Sequence, residues 1–484
     1  MKHIRILLLS LLMLCWFSAC RESALSDDPT LRLSFSVDTV CFDTVFTTFG
    51  SSTKRVMIYN KNRNAINISS VYHNDDRFAI NLDGENDIKQ LHDIQINGGD
   101  SLYLFVRVTI DTQDANTPVW ITDTIWFTVN GCRQALPMEA YGQNVWVIRS
   151  RSGRTDCPNG ITFDASRPYL IFDTIVATDV TIAKGMTLYM HNTASIYVLG
   201  NLDAQGTSDA PILIRGDRTD KLFDKVPYSH ASGQWGGIFL QNDSATVTYR
   251  LNYVDIVSGN IGLYSYSTDK SRRAQLTLLN SRIHNHAMYG LVLQNTDATV
   301  INTEISNCAA YCVYTAGGKQ LFVHNTIASY FGLPSSNLNI HNVSSQDVAA
   351  LYVDNLSKQM AETDLSIHNC IITGARKNNI VLATPLPKYY AGHITHNYIK
   401  GDTLLSPNCH DNSYAQDSDH VFVNTQYLYK EYNYYDFHLD SISAAIDIGD
   451  STITNQYAPQ DREGHSRIGC PIDAGCYQKS KNIQ

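Results

Sequence analysis

Asp255, Arg282 and Glu304 share one phase of a recurring pattern, each standing one residue before an aliphatic: Ile256, Ile283 and Ile305. If the segments carrying them stack, the three side chains form one outward column, with His284 and His286 just beyond Arg282. An arginine so placed can meet an anionic ligand, and an imidazole beside it can serve as a base once its neighbours tune it. The plainer expectation is that two flanking acids neutralise Arg282. The column is then a solvated ion-pair ladder contributing about 0.2–1 kcal/mol per pair.

Other chemistry-bearing residues are more scattered. Asn295-Thr296-Asp297 offers a single carboxylate, whereas glycoside hydrolysis needs two. His324, His341, His368 and His396 recur beside Asn, which suggests a turn or an exposed ladder position. Metal binding needs three or four converging ligands, and no spacing here supplies them, so no metal is expected. Cys308 and Cys312 form a C-x-x-x-C without a nearby histidine set and read as buried small apolar residues. Tyrosine is abundant, at 28 residues, and its ring can stack on a sugar while its hydroxyl hydrogen-bonds. Tyr427, Tyr429, Tyr432, Tyr434 and Tyr435 crowd one late segment, and Tyr389-Tyr390 is a second pair. The first four are the candidate glycan contacts, against the alternative that these rings simply cover the last segments.

The elements that must position these residues come from a repeat. Leu279-Asn280-Ser281-Arg282-Ile283 returns as Ile301-Asn302-Thr303-Glu304-Ile305, His324-Asn325-Thr326-Ile327, His368-Asn369-Cys370-Ile371 and His396-Asn397-Tyr398-Ile399. Successive Asn residues lie 22, 23, 44 and 28 positions apart, which is a unit of about 22 with one doubling and one insertion. A period of this size means stacked structural units. Leu276 and Leu278 should face the interior, the chain should bend near Asn280, and Ile283 should start the next inward strand. Val300, Asn302 and Ile305 should fill the same places one unit later. Asn tolerates tight-turn geometry and its amide can bond to the Asn above.

Short strands with frequent turns begin the repeat region: Asp179-Val180-Thr181-Ile182, Met186-Thr187-Leu188-Tyr189-Met190 and Ser195-Ile196-Tyr197-Val198. Then come Gly200-Asn201-Leu202-Asp203-Ala204-Gln205-Gly206-Thr207, Pro211-Ile212-Leu213-Ile214, Val226-Pro227-Tyr228 and Gly233-Gln234-Trp235-Gly236-Gly237-Ile238. This ordered series resembles the opening coils of bacterial right-handed parallel β-helix proteins, of the pectate-lyase-like superfamily. The resemblance covers roughly residues 165 to 478. Near its end, Ser443-Ala444-Ala445-Ile446-Asp447-Ile448-Gly449 resembles the family's S-P-A-I-D-x-G element. Asp461 to Gly464, Arg467 and Asp473 to Tyr477 resemble its D-x-x-G…R…D-I-G-A-Y finish. The resemblance implies a cap on the last coil, with Asp447, Arg467 and Asp473 as structural ion-pair and turn residues. Polygalacturonase-type hydrolases of this fold carry N-T-D, paired Asp, G-H-G and R-I-K elements on successive coils; only the first occurs here.

Before the repeat, residues 30–148 alternate with period two, as in Leu31 to Val37, Arg55 to Tyr59, Ser101 to Val108 and Asp123 to Val129. About seven strands suggest a β-sandwich, and the stretch looks like the immunoglobulin-like domains of bacterial envelope proteins. The expected fold is therefore all-β: an immunoglobulin-like β-sandwich (30–148), a linker (149–168), a right-handed parallel β-helix (169–445) and a C-terminal cap (446–484).

The start reads as a targeting signal (1–19): basic Lys2 and Arg5, then an apolar run from Ile6 to Leu14 too short to span a bilayer. Phe17-Ser18-Ala19-Cys20 resembles the lipobox of bacterial lipoproteins, with Phe17 where Leu is usual. That implies lipidation at Cys20, an acidic tether (20–29) and a lipid anchor in the outer membrane, facing either the periplasm or the surface. Removing Lys2 and Arg5 takes the formal charge from -9 to about -11, which argues against binding nucleic acid. Of eleven Cys, nine lie beyond Cys15 and Cys20. An odd number spread this widely is no disulfide framework, though Cys470–Cys476 and Cys41–Cys132 are possible pairs.

These observations point to a non-enzymatic, lipid-anchored envelope protein that presents its β-helix to glycan or another envelope component. The rivals are a polysaccharide lyase or glycoside hydrolase acting on acidic polysaccharide, and a structural spacer. No cofactor is expected; calcium enters only with the lyase. An enzyme should bring a base and a charge-neutralising group together on one face, whereas a binder should display aromatics. The oligomeric state is not specified by these patterns.

Overall fold

The computed structural model describes residues 24–86, 89–114, 116–223, 226–242, 247–331, 349–354, 363–383, 392–404, 407–416, 419–426 and 434–479. Cys20, Tyr389, Tyr390, Tyr427, Tyr429, Tyr432 and His341 lie outside the described residues. The chain divides into two compact units, residues 1–144 and 145–484.

The first unit is sandwich-like. One sheet runs in the order Ser34–Phe35, Lys54–Tyr59, Ser101–Val108, Phe78–Leu82. The other runs Val40–Phe46, Cys132–Gln143, Val119–Val129, Ile66–Tyr72, Gln90–Leu91, with Ile94–Ile96 also pairing to Ile66–Tyr72. Period-two alternation buries one face of each strand: Val56 and Ile58, Leu104 and Val106, Ile125 and Phe127 join one apolar core. Two of the ten described strands are two residues long, too short for alternation to reveal. The expected tether is in part tied down, because Ser26 donates its N–H to Ala65 O at 2.9 Å and Ala65 donates to Ala24 O at 3.0 Å.

The second unit is a parallel coil of three sheets, with eleven, nine and ten strands among the described residues. Each coil contributes one strand to each sheet. Residues 149–168, expected to be a linker, already belong to it. Trp146–Ile148, Arg154–Cys157 and Ile161–Phe163 pair in parallel with Tyr169–Ile171, Thr174–Ala177 and Val180–Ile182. The strands of this first coil are three or four residues long and are punctuated by Gly153 and Gly160 at φ 71° and 80°, a pattern that mimics a linker.

The inward phase is the expected one. Leu276, Leu278, Ile283, Val300 and Ile305 are all buried, and Ile283 stacks on Ile305 in register. Asn280 and Asn302 sit at φ 48° and 51°, and their amides form a ladder: Asn302 Nδ2 donates to Asn280 Oδ1 at 3.1 Å, and Asn280 Nδ2 to Asn252 Oδ1 at 2.9 Å. Beyond Asn302 the register corrects the repeat by one residue. Thr326 pairs with Glu304 and Ile371 with Thr326, so His324, Asn369 and His396 occupy the turn position, at φ 52°, 54° and 57°. Asn325 and Asn397 take the next place, where each side chain bonds to backbone of an adjacent coil. His324 is a turn residue as expected, but it is fully buried.

Trp235 is also buried, and its indole N–H donates to Val257 O at 2.9 Å. The next residue is glycine, and a Cβ on Gly236 would stand 1.9 Å from Ser195 Oγ, which would have to move.

The last parallel pair joins Tyr398–Ile399 to Ser413–Tyr414. Phe422–Asn424 and Asp436–Leu439 then form an antiparallel pair, so the coil stops short of residue 445. The segment from Asp440 to Lys479 does not simply cap the final coil. It lies against middle coils: Cys476 N–H donates to Thr326 Oγ1 at 3.1 Å and Gly475 N–H to Asn369 O at 2.8 Å. A helix, Ser451–Tyr457, capped by the Asp450 side chain on Thr452 N–H, packs near Ile301, Val323 and Leu321. Outward residues of the first sheet turn apolar here, and Ala328, Ile371 and Tyr398 share a second core with Phe422, Phe437 and Tyr477.

Candidate functional site

Asp255, Arg282 and Glu304 stack in register on Val254–Val257, Arg282–His284 and Glu304–Ser306 of the first sheet. A second outward column, two residues on, carries Val257, His284 and Ser306. Arg215 lies one coil earlier, on Ile212–Gly216. The column is not the solvated ladder expected from sequence. The C-terminal layer lies against it, and between them is a cavity of about 400 Å³ whose lining includes Arg215, His230, Arg282, His284, Glu304 and Tyr434.

The charge balance also differs. Glu304 is 4% exposed, and its carboxylate is occupied: Tyr477 Oη donates to Oε2 and Ser306 Oγ to Oε1, both at 2.6 Å. Asp255 accepts a hydrogen bond from Arg462 Nη2 at 2.7 Å, while Arg282 Nε is 3.7 Å away from its other oxygen. Arg282 Nε is buried and makes no hydrogen bond. Arg215 donates to the carbonyls of Gly216 and Arg218, and no carboxylate pairs with it among the described residues. Both acids flanking Arg282 thus have further partners: Asp255 is shared between Arg282 and Arg462, and Glu304 is bonded by two hydroxyls.

The imidazoles of His230 and His284 are held neutral. Burial, then the charges of Arg282 and Arg215, lower the His230 pKa to about 4. His284 is pushed well below the usual value, first by burial and then by Arg282. His284 Nδ1 lies 2.7 Å from Ser306 Oγ. That hydroxyl gives its proton to Glu304, so Nδ1 must be the donor and Nε2 the ring's acceptor. His286, grouped with them by sequence, is fully buried with Nε2 3.1 Å from Ile256 O and does not line the cavity.

The remaining candidates separate. Asp297 is a structural residue that accepts from Arg273 Nε at 2.7 Å and Lys319 N at 2.8 Å. Cys308 and Cys312 are fully buried. No disulfide joins the nine described cysteines: Cys41 Sγ lies 3.0 Å from Glu139 Oε1, Cys132 Sγ 3.3 Å from Pro29 O, and Cys476 Sγ 3.3 Å from Thr326 Oγ1. Arg467 is wholly buried but forms no ion pair among the described residues. It donates instead to Asn302 Oδ1 at 2.7 Å, Gly475 O at 2.9 Å and Gln460 O at 2.8 Å. Asp473 and Asp447 meet through the Asp447 N–H, a turn contact. Tyr434 stacks on His230, with ring centroids 4.0 Å apart.

A set of aromatics absent from the sequence expectations lines the second sheet. Tyr197, Phe239, Tyr264, Tyr314 and Tyr352 occupy one outward column over six successive coils, interrupted between Tyr264 and Tyr314 by buried Val292. The rings are half-buried, each with one part open to solvent. Tyr197 and Phe239 stack at 4.6 Å and 11°, and Tyr314 and Tyr352 at 5.7 Å and 4°. Tyr289 and Tyr311 stack beside them at 5.9 Å. Tyr314 Oη donates to Asp354 Oδ2 at 2.8 Å, which fixes its ring. The signal was present in sequence: these rings flank the inward aliphatics of each coil's second strand.

Residues 236–385 match the family model for the right handed beta helix region. This stretch is a right-handed β-helix. No curated protein matches the chain. Solved structures similar to parts of it include a protein of unknown function from Porphyromonas gingivalis W83, at 14% identity and TM-score 0.18, covering 26% of this chain and 50% of that one. A family 123 glycoside hydrolase from Clostridium perfringens aligns at 10% identity and TM-score 0.18, covering 24% and 28%. The VesB protease of Vibrio cholerae aligns at 11% identity and TM-score 0.16, covering 23% and 31%. The chain thus spans half or less of each of these structures, and likeness at this level carries no functional argument.

Proposed function

We propose that this is a cell-envelope protein, anchored through lipid on Cys20, that binds a glycan chain along the second sheet of its β-helix. The observation that carries the reading is the aromatic column from Tyr197 to Tyr352. At ~4.8 Å per coil it extends about 24 Å, long enough for several sugar rings in a row. Half-open aromatic faces with fixed hydroxyls suit the mixed apolar and hydroxylated surface of a sugar. Affinity electrophoresis against a panel of neutral and acidic polysaccharides tests it. Replacing Tyr314 and Tyr352 together by Ala should weaken binding of the retained polysaccharide at least tenfold. Unchanged mobility of the variant would remove the column from the binding surface. Metabolic labelling with a fatty-acid analogue, with Cys20→Ser as control, tests the anchor.

A second reading has its own observation: neutral His284 lies beside Arg282 in one cavity, the pairing of base and cation expected of a lyase. Release of unsaturated or reducing sugar ends from the same polysaccharides would replace binding with catalysis.

A further inference from the structure

The cavity on the first sheet lies on a different sheet from the aromatic column and has a different chemistry. We propose that it is a separate binding site for one anionic substituent of a saccharide, a carboxylate or a sulfate, held between Arg215 and Arg282.

Two guanidinium groups supply the positive charge, and of the two carboxylates that also line the cavity Glu304 is bonded by Tyr477 and Ser306 and Asp436 by His438. Arg282 Nε is buried without a hydrogen bond, and its ion pair with Asp255 Oδ2 is long, at 3.7 Å, because Asp255 is shared with Arg462, which bonds Oδ1 at 2.7 Å. Arg215 is held by two backbone carbonyls, which orient it without cancelling its charge. Guanidinium groups carry five donors in a planar fork that matches the oxygens of a carboxylate or sulfate. The Arg282 side chain is 37% exposed, so the rest of its guanidinium is open to a ligand while the buried Nε lacks a partner. The acid that could supply one from the same column, Glu304, is consumed by the hydroxyls of Tyr477 and Ser306.

The rest of the lining indicates that the anion belongs to a hydroxylated molecule. The Glu304–Ser306–His284 chain of hydrogen bonds leaves His284 Nε2 as an acceptor, suited to a ligand O–H. His230 and Tyr434 stack at 4.0 Å with their planes 25° apart, and both border the cavity. Paired flat rings beside a hydrogen-bond acceptor and two cations fit a sugar ring with a charged arm. At about 400 Å³ the space suits a mono- or disaccharide, not a long chain. The inference concerns binding and stands whether or not the ligand is turned over.

Calorimetric titration of the full chain with galacturonate, galactose 6-sulfate and galactose tests it. The expected result is binding of at least one anionic sugar at least tenfold tighter than galactose. Arg282→Gln and Arg215→Gln should each lose that preference. Which of the two anionic sugars binds names the substituent. Arg282→Lys, which keeps the charge but not the fork, should retain an intermediate affinity and serves if the Gln variant fails to fold. Tyr314→Ala, on the other sheet, should leave the titration unchanged, which separates this site from the aromatic column. Equal affinity for all three sugars, no binding of any, or full retention of the preference in a folded Arg282→Gln or Arg282→Lys variant would overturn the proposal.

Discussion

Tyr477 donates its hydroxyl to Glu304 at 2.6 Å across 173 positions of chain, and neither residue is more than 5% exposed. This bond ties the C-terminal layer to the middle of the coil. It also occupies one oxygen of the Glu304 carboxylate, which borders the cavity. Replacing Tyr477 by Phe leaves a buried carboxylate oxygen without its donor. The expected loss is about 1–3 kcal/mol, read as a lower urea midpoint. Limited proteolysis should at the same time cut the region after residue 434 sooner. A variant with the parent midpoint would show that Glu304 finds another donor.

Arg467 does similar work without an acid. Its guanidinium joins the end of the Asn ladder, at Asn302, to carbonyls of the C-terminal segment itself. Burial draws its pKa down to about 10, so it stays charged at neutral pH. Arg467→Met should strand several buried acceptors at once and cost at least about 3 kcal/mol. Arg467→Lys keeps the charge but loses the fork and should recover only part of this. Full recovery by Lys would mean that charge, not geometry, holds the segment.

The ladder itself can be tested at Asn302. Its φ of 51° is in the left-handed region, where Asn is tolerated and Ala is not, and its side chain bonds Asn280 of the ladder, Arg467 and Gln460 O. Asn302→Gly keeps the backbone but loses the bonds; Asn302→Ala loses both. Thermal melts should rank parent, Gly, Ala in falling order, with Ala about 2 kcal/mol or more below the parent. If Gly and Ala melt together, backbone conformation is not part of the ladder's contribution.

How far the sequence could be read depends on which forces are local. The inward phase of Ile283 and Ile305 and the bends at Asn280 and Asn302 were legible, because alternation and turn chemistry act within a few residues. The slip that puts His324 rather than Asn325 above Asn302 was not, since either residue can occupy a left-handed turn and only the strand register separates them. The Asp255, Arg282 and Glu304 column was legible as a column. Its electrostatics were not, because Tyr477 and Arg462 reach it from the far end of the chain. The aromatic column was hidden for a nearer reason. The Tyr-rich clusters at 389–390 and 427–435 stand out by local density, whereas Tyr314 and Tyr352 gain their meaning from being one coil apart.

Acid sensitivity is the consequence that binds these parts together. Burial holds His230, His284, His286, His324 and His368 below the usual imidazole value, to about 4 for His230, His286 and His368. A histidine whose folded pKa is depressed binds its proton more readily when the chain unfolds. Between about pH 4 and 6.5 the unfolded chain therefore carries more protons, and stability must fall as pH falls through that window. For His286, fully buried with Nε2 3.1 Å from Ile256 O, the full effect is roughly 3 kcal/mol. His438 acts in the opposite sense: burial alone would lower its pKa, but Asp436 and Glu463 raise it, so its contribution is present at low pH and is lost as pH rises. Five imidazoles outweigh one. Urea midpoints measured at pH 7.5, 6, 5 and 4 should decline at each step below about 6.5. His286→Gln should start lower and decline less steeply, because one proton-binding site of the unfolded chain is gone. A midpoint that stays level from pH 7.5 to 4 would show that these rings reach solvent or an acid partner in the folded protein.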